Sequence, residues 1–177
     1  MMEINNEDAY RDRVKANYEF SSWAGRAKEG ADFQLNKFAA RSEDLEGWTQ
    51  EQSEELPPTN RQRRVVRYIF NSAGARGQRL IVTVFECNSM EDAHESLIDV
   101  VMTYMAPSLP RCETRGLEIG DICFGSHGEV NLNVIFARFN ILVEVKSATP
   151  GPTSVDGFAR SLDSLIYNQY LKTRSPG

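Results

Sequence analysis

Ser89-Met90-Glu91-Asp92-Ala93 and Thr153-Ser154-Val155-Asp156 decide the fold of this chain. Each places a hydroxyl three residues before a carboxylate, so that side chains can satisfy the orphan N–H groups of a first helical turn. From the first signal, Ala93, Leu97, Val100, Val101 and Tyr104 share one side of a helix over 90–105, with Glu91, Asp92, Glu95 and Asp99 on the other. Ala106-Pro107 ends it, because the residue before a proline avoids the helical region. From the second signal, Phe158, Ala159, Leu162, Leu165, Ile166 and Gln169 form the inner face of a closing helix.

The text between and before these helices has period two. Val66, Tyr68 and Phe70 alternate with Arg67 in a strand over 65–70, and a turn over 71–78 leads to a second, over 80–85, that is apolar on both faces and hence central. A strand over 119–124 follows the first helix. Val130, Leu132, Val134 and Phe136 then alternate with Asn131 and Asn133, the pattern of a strand with one wet face. Arg138-Phe139-Asn140 reads as a tight turn in which Asn140 takes positive φ, and Ile141, Val143 and Val145 alternate with Glu144 and Lys146 beyond it. The expected fold is α+β: an antiparallel sheet of about five to seven strands covered by two helices, with an N-terminal helical extension.

Tyr10, Val14 and Tyr18 at i, i+4 and i+8 place a helix or two over about 7–28 that lean on the main domain, with Phe33, Leu35 and Phe38 following without clear period. The expected division is an extension over 1–44 and an α+β sandwich domain over 45–172. Leu45 and Trp48 start the domain as a short edge strand, and 41–60 otherwise reads as punctuation. The tail 173–177 reads as frayed.

At 177 residues the chain is long enough to bury a core without staples. Its net charge of −5 argues against nucleic acid or an anionic membrane as main partner. Cys87, Cys112 and Cys123, odd in number and far apart, read as free thiols in a reducing compartment. The acidic start has neither the basic nor the apolar part of a signal peptide, no apolar run reaches 18 residues, and no asparagine opens a glycosylation sequon. The expectation is a cytoplasmic protein.

The order of these elements, from Leu45-Glu46-Gly47-Trp48 through the hairpin, the Ser89–Ala93 helix, the Gly120-Asp121 strand and the Arg138-Phe139-Asn140 turn to the closing helix, resembles small bacterial α/β sandwiches of the PsbP-like kind. The resemblance covers roughly residues 45–170. It implies a non-enzymatic binding or assembly module and identifies no site residue. Many such domains are exported, whereas no signal peptide is expected from this chain's start.

Chemistry-bearing residues are sparse. Cys123 and His127, four apart, are the only candidate metal half-site, and no Cys-x-x-Cys accompanies them. His94 reads as a half-buried, hydrogen-bonded histidine. Ser126-His127 has no nucleophile elbow around it, and Gly125-Ser126-His127-Gly128 lacks the Lys-Ser/Thr of a phosphate cradle. Glu113, Glu118, Asp121 and Glu129 read as solvated surface charge. No catalytic residue, metal or cofactor is expected.

The feature least like background is charge segregation. Residues 43–55 hold Glu43, Asp44, Glu46, Glu51, Glu54 and Glu55 with no base, and 61–79 hold Arg61, Arg63, Arg64, Arg67, Arg76 and Arg79 with no acid. One reading has the arginines protecting an edge hairpin and pairing with the acids beside them. The other has Arg61, Arg63, Arg64 and Arg67 binding another protein with an acidic surface, because the guanidinium fork grips carboxylates in pairs. The second makes the chain a protein-binding module of the immunity, inhibitor or accessory kind, and leaves a homo-oligomer open. Its rival is a small-molecule or lipid-binding domain with a pocket between sheet and helix.

Overall fold

A computed structural model describes residues 6–26, 45–74, 77–106, 108–149 and 153–174. Several sequence readings lie outside these: Phe33, Leu35 and Phe38, the 41–44 segment with Glu43 and Asp44, Arg76, Pro107, Pro150-Gly151-Pro152 and the end of the tail.

Six strands form one antiparallel sheet: β1 (Trp48–Leu56), β2 (Gln62–Ser72), β3 (Arg79–Cys87), β4 (Ile122–Gly125), β5 (Asn133–Arg138) and β6 (Ile141–Ser147), in the spatial order β1-β2-β3-β6-β5-β4. The helices are α1 (Asn6–Asn17), α2 (Met90–Thr103) and α3 (Asp156–Arg174). The α+β class, the antiparallel sheet and the N-terminal helix agree with the sequence reading.

Each sheet face buries one apolar set. Val66, Tyr68 and Phe70 of β2 lie with Val82, Val143 and Phe136 beneath Phe158, Leu162 and Ile166 of α3. The opposite face carries Ile135, Ala137 and Leu142 against Leu97, Ile98 and Val101 of α2, all three fully buried. Burying each of those three side chains contributes about 1.5–3 kcal/mol. Val14, Tyr18 and Trp23 complete that second core, so the described part of the N-terminal extension, residues 6–26, packs onto the domain.

The helix starts differ in detail. Ser89 caps α2 as read, its Oγ accepting the Asp92 N–H at 3.0 Å. For α3 it is Ser154, not Thr153, whose Oγ accepts the Asp156 N–H. Of the one or two helices read over 7–28, the structure has two: α1 ends at Asn17, Glu19 turns left-handed at φ 53, and a 3₁₀ segment, Phe20–Gly25, follows.

Three strand readings are corrected. β1 is nine residues long where a short edge strand was expected. β5 has no wet face: Val134 and Phe136 face α3, while Ile135 and Ala137 face α2. Before it, Asn131 is buried and Leu132 exposed, the reverse of the alternation, because Asn131 donates to Asp156 Oδ1 and accepts from Arg115. In the β5–β6 turn Phe139, not Asn140, takes positive φ, at 57°. Its ring packs 4.2 Å from that of Tyr170, and its N–H is held by Asp121, whereas Asn140 is used to tie Cys87 through both backbone and side chain.

The largest correction concerns the cysteines. Cys112 and Cys123 form a disulfide, and only Cys87 is free. Arg111 bridges to Phe124, and the Gly125 N–H donates to Pro110 O, so residues 110–112 run along β4 and bring the two Cα atoms to 5.4 Å. Disulfides persist in oxidising compartments. The cysteine-based argument for a reducing compartment therefore no longer holds. No described helix is long and apolar enough to cross a membrane.

Candidate protein-docking surface

The two ends of the sheet are built in opposite ways. β4 is four residues long and buried throughout. Its outer side carries the 110–112 segment, the disulfide and a 3₁₀ turn, Cys112–Arg115. Salt bridges Arg111–Glu19 and Arg26–Glu113 fasten this cover to the N-terminal segment.

Behind β4 sits a buried charge cluster. Arg138 donates to Asp163 through two nitrogens at 2.7 and 2.8 Å and to Asp121 at 3.2 Å. Asp163 also accepts the Gly120 N–H, and Asp121 accepts that of Phe139. Asp121 has a side chain only 3% exposed, so it is not the solvated charge its neighbours suggested. Burial pushes its carboxyl above the usual range, against the opposing pull of the Phe139 N–H and Arg138. Gly120 is required here: at φ +63 it lies so close to β5 that a Cβ would meet Ala137 O at 2.6 Å. An open cleft of about 540 Å³ adjoins the cluster, lined by Arg26, Glu113, Glu118, Asp121 and Arg138 among others.

At the other end, β1 pairs with β2 and, among the described residues, with nothing on its far side. Residues 51–55 are all exposed. A β-bulge interrupts the pairing between Gln50 and Gln52, after which Gln52–Leu56 pair residue by residue with Ile69–Val65.

The four sequence-predicted arginines are spread around this hairpin. Arg64 lies on the α3 face and pairs with Glu55 at 2.5 Å. Arg61, in the β1–β2 loop, pairs with Asp99 of α2 at 2.9 Å. Asp99 also binds Arg11, which bridges to Glu95 and onward to Lys15, so Arg61 ends an ion chain joining loop, α1 and α2. Burial works against the Glu95 carboxylate, yet Lys15 and Arg11 hold it below the usual range. Arg63 sits at the second register break and donates to Asn88 O. Arg67 is exposed on the α2 face opposite Glu54, with no ion pair among the described residues. Half-buried Leu56, Ile69, Ile81 and Phe85 surround it. Outside this set, Arg79 takes Glu51 at 3.0 Å.

The other candidates are sealed or occupied. His94 is 3% exposed, packs edge-on against Trp23 and has an Nε2 without a hydrogen-bond partner, where a half-buried, hydrogen-bonded ring was expected. Burial lowers its pKa to about 4, and burial pushes the Cys87 thiol up to about 12. His127 donates to Ser108 O, and Ser126 Oγ accepts the Leu132 N–H. Cys123 is bonded to Cys112 and cannot ligate beside His127. Among the described residues no three His, Cys, Asp or Glu side chains converge as a metal site requires.

The sequence missed two parts of this picture. The length of β1 carried no signal, since its residues are almost all polar. The Asp121–Arg138–Asp163 cluster gave one faint clue, the Gly120-Asp121 pair ahead of a strand.

Compared with family models, curated proteins and solved structures, the chain matches none.

Proposed function

We propose that the chain is a non-enzymatic protein-binding module, of the immunity, inhibitor or accessory-subunit kind, that docks through its outer β1–β2 hairpin. The observation that supports this most is the asymmetry of the sheet edges: one short and covered, the other nine residues long and exposed. An uncovered edge offers a row of backbone donors and acceptors to another chain. The apolar surround of Arg67 adds side chains typical of interface centres, where arginine and large apolar groups are enriched. The most nucleophilic and basic groups of the interior support the non-enzymatic half. Cys87 is held as the thiol, and His94 is held neutral and sealed behind Trp23.

The acidic partner expected from Arg61, Arg63, Arg64 and Arg67 loses part of its basis. Arg61, Arg64 and Arg79 are answered by Asp99, Glu55 and Glu51. The hairpin is better characterised as a docking element by its open edge than by its cations.

Affinity capture with the full chain, run beside the variant Ser53→Pro, tests the reading. Proline removes a donor from an exposed edge residue. A partner protein captured by the parent and lost by a folded variant is the expected result. Recovery of a small ligand with no protein partner would favour the rival class. That class draws support from the cleft beside Arg138, whose charged lining suits a polar ligand better than a lipid.

A further inference from the structure

We infer that the β1 edge accepts an extended, cationic segment of a partner protein as an additional strand. This rests on the docking role proposed above and specifies the chemistry of its occupant.

Strand addition needs an accessible edge that is straight over several residues. Beyond the bulge, Gln52–Leu56 provide this, since each pairs in step with β2. The charge on that edge has one sign. Glu46, Glu51, Glu54 and Glu55 lie within ten residues, and no lysine or arginine occurs between 45 and 60. Arg64 and Arg79 reach Glu55 and Glu51 from the inner strands, yet those carboxylates keep side-chain exposures of 67% and 49%. Glu54 is exposed and has no ion pair among the described residues.

Two occupants are then separated by charge. A second copy of the chain, pairing β1 antiparallel to β1, would crowd Glu51, Glu54 and Glu55 of the two copies together and oppose Glu51 to Glu55 or Glu54 to itself in the central registers, and like charges across a strand pair are unfavourable. A segment with two adjacent lysine or arginine residues would set one cation beside Glu54 on one face and the next beside Glu55 on the other. The same carboxylates thus deter self-association and select a basic strand. Edge charge and bulges are also how proteins keep edges unpaired, and β1 has both; what sets it apart is its length and the straight run Gln52–Leu56 beyond the bulge. The opposite edge of this sheet is four residues long and covered; β1 is nine residues long and, among the described residues, uncovered.

A display library of random nine-residue peptides, panned against the full chain, tests the inference. Selected peptides should carry net positive charge with adjacent lysine or arginine residues, and should slow amide exchange over 49–56. Glu54→Lys also sets a cation opposite Arg67, so it should lower the melting temperature slightly, and it should weaken the best peptide about fivefold by placing like charges across the new pair. Acidic or neutral peptides, indifference to Glu54→Lys, or no enrichment would each overturn the inference. Peptides whose footprint falls on Arg67, Ile69 and Ile81 would overturn it while sparing the docking role of the hairpin. Footprints away from both strands would remove both.

Discussion

The β4 and β1 edges belong to one sheet and obey the same backbone chemistry, yet the chain invests in them very differently. Around β4 it places a disulfide, a buried arginine between two carboxylates, a glycine pressed against β5 and two salt bridges to the N-terminal segment. Around β1 it places polar side chains, a bulge and four carboxylates. The difference separates two uses of charge. At β4, charge is buried and fully hydrogen-bonded, so removing one member strands the others. At β1, charge is exposed and screened, contributes little to folding, and remains available to a partner.

Breaking the β4 side should have the largest effect. Arg138→Ala leaves Asp121 and Asp163 buried without their cation, and should cost about 3–5 kcal/mol by urea denaturation. A loss below about 1 kcal/mol would place the cluster with ordinary surface pairs. Changing both Cys112 and Cys123 to serine should cost about 3 kcal/mol, as expected for a closed loop of this size. Under non-reducing denaturation a thiol reagent should count one free cysteine, Cys87; a count of three would contradict the bridge.

His94 gives a pH signature. Its folded pKa of about 4 lies below the ordinary 6.5, so between these values the unfolded chain binds more protons. Its contribution is complete above pH 6.5 and is lost as pH falls toward 4, by about 3 kcal/mol at most. His94→Gln should flatten stability against pH across that window. An unchanged slope would mean that the ring is solvated.

The smallest effects belong to the outer hairpin. Arg61, Arg63 and Arg64 changed together to serine should shift stability by about 1–2 kcal/mol in total, since each surface pair is worth about 0–1 kcal/mol. Unfolding by that triple change would make the arginines structural, through the ion chain that begins at Arg61–Asp99.

The same contrast governs what could be read from the residues alone. β2, β6 and α2 were legible because packing enforces a period: Val66, Tyr68 and Phe70 share a face, and Ser89 caps as its spacing demands. β1 was not, because a strand exposed on both faces has no apolar alternation and owes its form to pairing with β2. The disulfide was hidden because Cys112 and Cys123 meet only once Arg111 lies along Phe124, a contact that no spacing encodes. Asp121 looked solvated among Glu113, Glu118 and Glu129, and its burial depends on Arg138 and Asp163, far along the chain. For the proposed surface, charge segregation over 43–79 was visible, but not the sorting of Arg64 and Arg67 onto opposite faces.

Amide hydrogen exchange of the full chain, free and with the tightest cationic peptide, tests the open-edge claim most directly. Without peptide, amides of 50–55 should exchange much faster than those of 122–125, and peptide should slow the first group alone. Equal protection of the two edges in the free chain, or protection confined to 122–125 on binding, would contradict it.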